Sequence, residues 1–267
     1  MQIGFIGGGA MCEALIKGLL AKALVSPQDV FVSDHKRKRC DYLSEHYGVS
    51  ASIGTENFLT QLDVLFLAIK PQAAQKAMDE VCEKLPARTL VISIVAGLRL
   101  ESIEARFLQQ PVVRVMPNTP MAVGEGMSAF ALGSRAGENQ LQMTENILAA
   151  AGRAVCVKES MMDAVTGLSG SGPAYAFLMI DALADGGVAA GLPRKDAIML
   201  AAQTLLGAAK MVLDTAEHPD VLRDQVTSPA GTTIAGVRVL EQRGIRGALL
   251  DAVLAASEKS RAMGKQS

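Results

Sequence analysis

Short apolar runs rich in β-branched residues alternate with longer helix-forming stretches in the first part of the chain. The runs are 2–6, 30–33, 64–69, 89–94, 112–116, 128–132 and 153–157. Alternation of this kind is typical of βαβ units in a parallel, doubly wound sheet. Two of the runs, VLFLAI and TLVISI, are apolar at nearly every position, as in strands that are covered on both faces. We therefore predict that these two strands lie at the centre of the sheet.

The strand pattern ends near residue 160, and Ala-, Leu- and Met-rich stretches of helical composition replace it. These stretches are 160–190, 193–214, 218–226, 232–243 and 246–263. Segments containing Gly and Pro separate them, as expected between helices. The sequence thus predicts an α/β fold, with a Rossmann-like dinucleotide-binding domain over 1–158 followed by an all-α domain over 159–267.

The helical stretches are too apolar to be buried against one another within a single chain. AYAFLMIDALA and AIMLAAQTLLGAAKMVL are the clearest examples. A partner subunit is expected to cover the remaining apolar surface. The all-α domain is therefore predicted to be a dimerisation domain.

Composition and charge exclude several classes of function. The formal net charge of the 267 residues is −1, so no global field attracts nucleic acid or acidic membranes, and neither is expected as a partner. The amino terminus lacks the pattern of a signal peptide, and the one apolar stretch of transmembrane length, 173–190, is interrupted by Gly and Asp. We expect a cytoplasmic protein.

The four cysteines lie at wide spacings and form no C-x-x-C pair. They are Cys12, Cys40, Cys82 and Cys156. This spacing argues against a zinc cluster or a disulfide framework, so no metal is expected. We predict that all four are buried, reduced thiols.

A glycine-rich loop follows the first predicted strand and opens the first predicted helix. Its candidates for cofactor binding are Gly7, Gly8, Gly9, Ala10 and Met11. In a G-x-G-x-x-G fingerprint, Gly7 permits the tight turn and Gly9 leaves no Cβ between the backbone and a pyrophosphate at the helix N-terminus. Cys12 stands where the third glycine would be. This context predicts a dinucleotide site; the alternative is an ordinary flexible turn.

The end of the second predicted strand, where the cofactor's ribose would lie, carries two conflicting signals. Asp34 could hydrogen-bond a ribose 2′-hydroxyl, which favours NADH. The candidates for holding a 2′-phosphate are Ser33, Lys36, Arg37, Lys38 and Arg39. Their hydroxyl and basic groups favour NADPH. We favour NADPH and keep NADH as an alternative; the basic run could also be a solvated helix face.

Three further loops follow predicted strands, where ligands bind in open α/β sheets. Their candidates for cofactor binding are Ala68, Lys70 and Pro71 in the first loop, Ala96 and Gly97 in the second, and Asn118 in the third. Each loop taken alone could be a plain turn. Their matched positions favour a cofactor site, in which the stiff M-P-N-T-P loop around Asn118 forms a wall near the nicotinamide.

A search for catalytic groups finds little. His35, His46 and His218 are the only histidines; they belong to no motif, and the first two are expected at the surface. The segment S-P-A-G-T-T is more informative, because free N–H groups and the helix dipole at a helix start favour an anion such as a carboxylate. Its candidates for substrate binding are Ser228, Gly231, Thr232 and Thr233. The alternative is a capped helix start with no ligand.

Five segments together resemble the pyrroline-5-carboxylate reductases. They are GFIGGGAM, VLFLAIKPQ, MPNTP, LSGSGPAYAF and DQVTSPAGTTIAGVRVLE. The resemblance runs from residue 1 to about residue 260, and the last two segments are its most specific part. It implies NADPH or NADH as the cofactor, the cyclic imine 1-pyrroline-5-carboxylate as the substrate and L-proline as the product. It also implies a homodimer through interlocked C-terminal helical domains, with further assembly in many members into a decamer of five dimers.

The resemblance assigns roles to the S-P-A-G-T-T segment. Ser228 and the backbone of Gly231 and Thr232 would hold the substrate carboxylate, and Thr233, the catalytic candidate, would hydrogen-bond the ring nitrogen. No strong acid is needed, because a protonated imine is already electrophilic and its carbon accepts hydride directly.

The sequence departs from the family pattern at three places. Cys12 stands where Ala is common, and Ala230 replaces a common Gly. A cofactor-contacting Asn is replaced by Thr55, unless Asn57 takes its place. These departures bear on the adenosine-side contacts and not on the reaction.

Two other classes of protein fit parts of the sequence. A β-hydroxy acid dehydrogenase would share the first domain, but it would use a lysine on its long helix, and 173–190 contains no lysine. A non-catalytic NADP-binding sensor would keep the glycine loop, yet it would have no reason to keep S-P-A-G-T-T.

Overall fold

A computed structural model describes residues 1–55 and 57–264. Its strands are β1 (Ile3–Ile6), β2 (Val30–Ser33), β3 (Ser50–Ser52), β4 (Val64–Leu67), β5 (Leu90–Ser93), β6 (Val112–Met116), β7 (Gly126–Leu132) and β8 (Gly152–Cys156). They form one sheet in the order β3-β2-β1-β4-β5-β6-β7-β8. Neighbouring strands are parallel, except that β6 and β7 are antiparallel.

Eleven α-helices are found among the described residues. They are α1 (Ala10–Ala21), α2 (Arg37–Tyr47), α3 (Pro71–Val81), α4 (Leu100–Glu104), α5 (Glu138–Leu148), α6 (Met162–Val165), α7 (Gly172–Ala189), α8 (Arg194–Thr215), α9 (Pro219–Gln225), α10 (Thr232–Gln242) and α11 (Ile245–Met263). A π-helical turn, Thr166–Gly170, lies between α6 and α7.

The α/β class and the central place of two apolar strands are confirmed. β4 and β5 lie in the middle of the sheet order. β3 was not predicted, because its three residues, Ser50–Ser52, are small and mostly polar. β7 was predicted to be parallel to β6, but it runs antiparallel to it. The connection between them, residues 117–125, contains only the short 3-10 turn Thr119–Val123. A crossover between parallel strands needs about a dozen residues or more.

The sheet separates two apolar layers. Alternate residues of one strand face opposite layers, so Phe66 of β4 packs with α1 while Leu65 packs toward α3. The rings of Phe5 and Phe66 stack with their centroids 4.8 Å apart. Strands β4 and β5 are buried throughout, which explains the near-continuous apolar runs in the sequence.

The chain divides into two compact units. The first contains Met1–Ser171 together with the described residues from Ala255 onward, and the second contains Gly172–Leu254. The second unit has a small core of Ala184, Ala197 and Ala201.

The second unit leaves large apolar side chains uncovered. Phe177 and Leu178 of α7 are 64% and 71% exposed, and Met199 of α8 is 62% exposed. Among the described residues, α8 is the one helix whose length and mean hydropathy, 1.4 over its best window, would suit a membrane span. Core helices of soluble proteins have the same length and hydropathy.

The prediction that all four cysteines are buried is wrong for two of them. Cys12 and Cys40 are buried, Cys82 is half-buried and Cys156 is exposed. Cys156 ends β8, one of the two edge strands of the sheet, and no residue of β8 is fully buried. All four are free thiols.

Ala230, which replaces the family's common Gly, adopts a left-handed backbone with φ of 57°. This conformation costs a residue with a Cβ about 1–2 kcal/mol. Glycine avoids that cost but loses about 0.5–1 kcal/mol more chain entropy on folding. The Ala230→Gly change is therefore expected to raise the free energy of unfolding by about 0.5–1 kcal/mol, measured by urea denaturation.

Ala235→Gly is the matched control, because Ala235 lies inside α10, where glycine costs about 0.5–1 kcal/mol. If Ala230→Gly lowered the free energy of unfolding as much as Ala235→Gly does, the left-handed backbone at Ala230 would not be strained.

Candidate cofactor and substrate sites

The glycine loop is held tightly between the ends of two strands. Gly7 has φ of 100° and donates its N–H to the carbonyl oxygen of Ser33 at 2.7 Å. A Cβ at this position would collide with the carbonyl oxygen of Ala68. Gly7 therefore has to be glycine, and its turn fixes where α1 begins.

Gly9, in contrast to Gly7, borders open space, because a Cβ on Gly9 would meet no atom within 4 Å. Gly9 precedes α1 as its N-terminal cap residue, without a side-chain cap. The N–H groups of Ala10 and Met11 in the first turn have no partner within the helix, as in any helix. Open space and free N–H groups at a helix N-terminus suit a pyrophosphate.

A cavity of about 840 Å³ opens over this loop at the carboxyl ends of β1, β2 and β4. The predicted site residues that line it are Gly7, Gly8, Gly9, Ser33, Lys36, Arg39, Thr55, Ala68 and Lys70. Arg37 and Asn57 are exposed and lie outside this lining, so Thr55 and not Asn57 borders the cavity.

Asp34 also lines this cavity, and both of its carboxylate oxygens are engaged by backbone N–H groups. Oδ2 accepts the N–H of Gly8 at 2.8 Å, and Oδ1 accepts the N–H of Lys36 at 2.9 Å. Asp34 therefore holds the glycine loop against the β2–α2 segment. A carboxylate oxygen accepts more than one hydrogen bond, so the geometry still allows a ribose hydroxyl.

The cavity includes residues that the sequence did not single out. Ile53, Ala73, Ala77 and Lys84 line it beside the glycine loop. Ala73 and Ala77 are four residues apart on α3, so they share one helix face. Ala73 and Ala77 could have been identified from the sequence as two small residues four positions apart, shortly after Lys70-Pro71.

The remaining predicted loop residues lie around two other cavities. Pro71, Ala96 and Gly97 line one of about 690 Å³. Ala96 and Gly97 also line one of about 200 Å³, which includes Lys259 of α11.

The side-chain amide of Asn118 is satisfied within the protein. Its Nδ2 donates to the carbonyl oxygen of Ser169 at 3.2 Å, and its Oδ1 accepts the N–H of Met127 at 2.8 Å. Asn118 thus ties the M-P-N-T-P loop to the π-helical turn.

In the second unit, S-P-A-G-T-T forms the start of α10. Gly231 is the N-terminal cap residue, with no side-chain cap hydrogen bond, and its N–H donates to the carbonyl oxygen of Ser228 at 3.1 Å. A Cβ at Gly231 would collide with the Ser228 hydroxyl. Thr232 and Thr233 are the first two helical residues, so the Thr233 hydroxyl is not at the capping position.

This arrangement offers an anion the first-turn N–H groups, the positive end of the helix dipole and the Ser228 hydroxyl. Ser228 and Thr232 are exposed, while Gly231 and Thr233 are half-buried. The capped-helix alternative loses support, because the cap position has no side chain.

The histidines are not arranged for catalysis. His35 and His46 are exposed, as predicted, and Nδ1 of His218 accepts the N–H of Asp220 at 3.2 Å to cap α9. Within residues 1–55 and 57–264, no group of three or more His, Cys, Asp or Glu side chains is placed to hold a metal ion.

Two family descriptions match the chain. Residues 159–263 match pyrroline-5-carboxylate reductase dimerisation, and residues 2–97 match NADP oxidoreductase, coenzyme F420-dependent. The first match begins at the predicted start of the all-α domain and confirms it as a dimerisation domain.

Two relatives and two solved structures carry the same name. Pyrroline-5-carboxylate reductases from Synechocystis sp. and Arabidopsis thaliana are 47% and 45% identical to this chain, over 100% and 97% of it and 99% and 94% of their own lengths. The Coxiella burnetii enzyme has a TM-score of 0.90 at 33% identity, covering 98% of each chain. The Plasmodium falciparum enzyme with NADP bound has a TM-score of 0.87 at 31% identity, covering 99% of this chain and 98% of its own.

These similarities extend over both units and include the glycine loop and the start of α10. The chain belongs to the pyrroline-5-carboxylate reductase family.

Proposed function

We propose that the protein reduces the cyclic imine 1-pyrroline-5-carboxylate to L-proline, the last step of proline biosynthesis, by hydride transfer from NADPH, with NADH as the alternative donor. One observation carries the proposal: a single chain holds an open glycine loop at β1–α1 and an uncapped, glycine-preceded helix start at S-P-A-G-T-T. The first suits a dinucleotide pyrophosphate, and the second suits the carboxylate of a small acid.

The residues around the larger cavity fit a dinucleotide. The N–H groups of Gly9, Ala10 and Met11 would hold the pyrophosphate, while Gly7 and Gly8 set the loop's shape. Further contacts are proposed for Ser33, Lys36, Arg37, Thr55, Asn57, Ala68, Lys70, Pro71, Ala96, Gly97 and, through its loop, Asn118. When bound, the dihydronicotinamide supplies hydride.

The substrate is held by the start of α10. The Ser228 hydroxyl and the backbone of Gly231 and Thr232 would bind the carboxylate, and the Thr233 hydroxyl would bond the ring nitrogen. The Gly231 N–H already donates to the Ser228 carbonyl oxygen, so the Thr232 N–H is the backbone donor proposed for the carboxylate. An anion on the helix N-terminus and a polarised ring nitrogen, three bonds from the carboxylate oxygens, fix the ring's orientation. The protein contributes orientation and electrostatics, because the protonated imine needs no further acid.

The exposed apolar side chains of α7 and α8 support a homodimer, since a partner would bury them. Assembly of five such dimers into a decamer is proposed from the resemblance alone. The net charge of −1 supports the absence of a nucleic-acid or membrane partner. Four free thiols support a reducing location such as the cytoplasm.

The proposed reaction is tested by following NADPH absorbance after adding 1-pyrroline-5-carboxylate and by identifying L-proline as the product. Turnover that depends on both reactants is the expected result. A folded protein, shown by circular dichroism, that oxidises no NADPH or NADH with this imine would overturn the proposal.

The basic run at the start of α2 is expected to discriminate between cofactors. Replacing Lys36 and Arg37 together with Ala should raise the KM for NADPH and leave that for NADH nearly unchanged, because only NADPH carries the 2′-phosphate. Lys36→Ala alone should account for most of the effect, because Lys36 lines the cavity and Arg37 does not. Equal changes for both cofactors would make the run a solvated helix face.

The Thr233→Val change is expected to lower kcat/KM for the imine by about 10- to 150-fold. The lost hydrogen bond has a charged partner and is worth about 1.5–3 kcal/mol. Thr232→Val is the matched control, because Thr232 is its neighbour in α10 and binds through its backbone. Near-normal kcat/KM in Thr233→Val, or a larger loss in Thr232→Val, would contradict the assignment.

A further inference from the structure

Arg39, in the first turn of α2, lies against the glycine loop. Its Nε donates a hydrogen bond to the carbonyl oxygen of Gly8, and its Nη2 is 3.4 Å from the carbonyl oxygen of Gly9. Nη2 also pairs with the carboxylate of Glu13, in the first turn of α1. One side chain therefore joins two successive loop carbonyls to the helix that the loop opens.

Glu13 is held in turn by two tyrosines of α2. Tyr42 and Tyr47 both donate their hydroxyls to Oε1 of Glu13, each at 2.9 Å. Burial tends to raise the pKa of this carboxyl, but hydrogen bonds from Arg39, Tyr47 and Tyr42 outweigh it and hold the pKa of Glu13 below its usual range. Glu13 is therefore an anion that fixes one end of the Arg39 guanidinium.

Tyr42 fixes the same guanidinium from one face. The central carbon of the Arg39 guanidinium lies 5.0 Å from the centroid of the Tyr42 ring, which is within the range of a cation–π contact. The Arg39 side chain is only partly exposed, at 25%. An anion, an aromatic ring and two backbone carbonyls thus define its position.

Holding a carbonyl also aims the N–H group that shares its peptide plane. The peptide units here are planar and trans, so the N–H points away from the carbonyl. With the Gly8 carbonyl on Arg39, the N–H of Gly9 points to the opposite side of the loop. The N–H groups of Gly7 and Gly8 are bonded within the protein, so the N–H of Gly9 is the first one in the loop for a pyrophosphate.

We propose that Arg39 is a positioning residue for the cofactor. It acts on the pyrophosphate through the glycine loop, by orienting the Gly9 peptide, and not on a 2′-phosphate. NADPH and NADH share the pyrophosphate, so Arg39 serves both cofactors equally. The inference rests on the proposed dinucleotide site and adds to it a residue outside the glycine motif.

The test measures the dissociation constants of NADPH and NADH by fluorescence titration without the imine, followed by steady-state kinetics. In Arg39→Met, which keeps the aliphatic part of the side chain, both dissociation constants should rise about tenfold, as expected for one lost charge-assisted hydrogen bond. The kcat at saturating cofactor and the KM for the imine should stay within about twofold of wild type.

Arg88→Met is the matched control. Arg88 is an exposed arginine just before the amino end of β5, whereas the site lies at the carboxyl ends of the strands. Its replacement should leave both dissociation constants unchanged.

Glu13→Gln provides a second variant in case Arg39→Met does not fold, as judged by thermal unfolding. It keeps acceptors for the tyrosines but removes the charge, and it should raise both constants about threefold.

Unchanged dissociation constants in both variants would overturn the inference. A rise for NADPH alone would also overturn it, because Arg39 would then bind the 2′-phosphate. Wild-type protein that binds neither dinucleotide would overturn the proposed function itself, so the two failures are distinguishable.

Discussion

The passage of the β1–α1 loop between the ends of β2 and β4 is the constraint on which the cofactor site depends. The Gly7 N–H is bonded to the Ser33 carbonyl at 2.7 Å, and the Ala68 carbonyl occupies the space where a Cβ would be. The carboxyl ends of parallel strands lie side by side, so this contact brings the carboxyl ends of β1, β2 and β4 around one cavity. The start of α1, with its free N–H groups, is placed by the same contact.

Gly8, the next residue of the loop, is held by two oppositely charged side chains of the β2–α2 segment. The Asp34 carboxylate accepts the Gly8 N–H, and the Arg39 guanidinium donates to the Gly8 carbonyl. The segment for which we propose cofactor selectivity therefore also shapes the loop. A count of charges in this segment does not decide between NADH and NADPH, because two of the charges are engaged by the backbone.

Much of the fold follows from the sequence. Apolar runs identify the buried strands, and long stretches of helical composition identify the helices, without knowledge of what each element packs against. The exceptions have physical causes. Ser50–Ser52 carries no apolar signal because β3 is an edge strand, and the direction of β7 depends on the length of residues 117–125 and not on its own composition. In the site, the Gly7 and Gly9 positions were recognisable from the motif.

The roles of Arg39 and Asn118 were not recognisable, for a different reason. Arg39 bonds to Glu13 across 26 residues, and Asn118 bonds to Ser169 across 51. A side chain's partner at such a separation is set by the tertiary fold, and a basic run or a polar loop looks the same whether it contacts a ligand or the protein itself. The sequence therefore singled out both residues as site candidates but did not assign their contacts within the protein.

The S-P-A-G-T-T segment, our proposed substrate site, begins a helix without a capping side chain. A Ser, Thr, Asp or Asn at the cap position of α10 would stabilise the helix by about a few tenths of a kcal/mol relative to glycine, yet Gly231 occupies it without a side-chain bond. The glycine leaves room for the Ser228 hydroxyl, whose place a Cβ would take. A carboxylate at this start would satisfy the N–H groups that a capping side chain normally satisfies, so bound substrate would itself stabilise α10. In the proposed function, a bound anion would therefore take the place of a capping side chain.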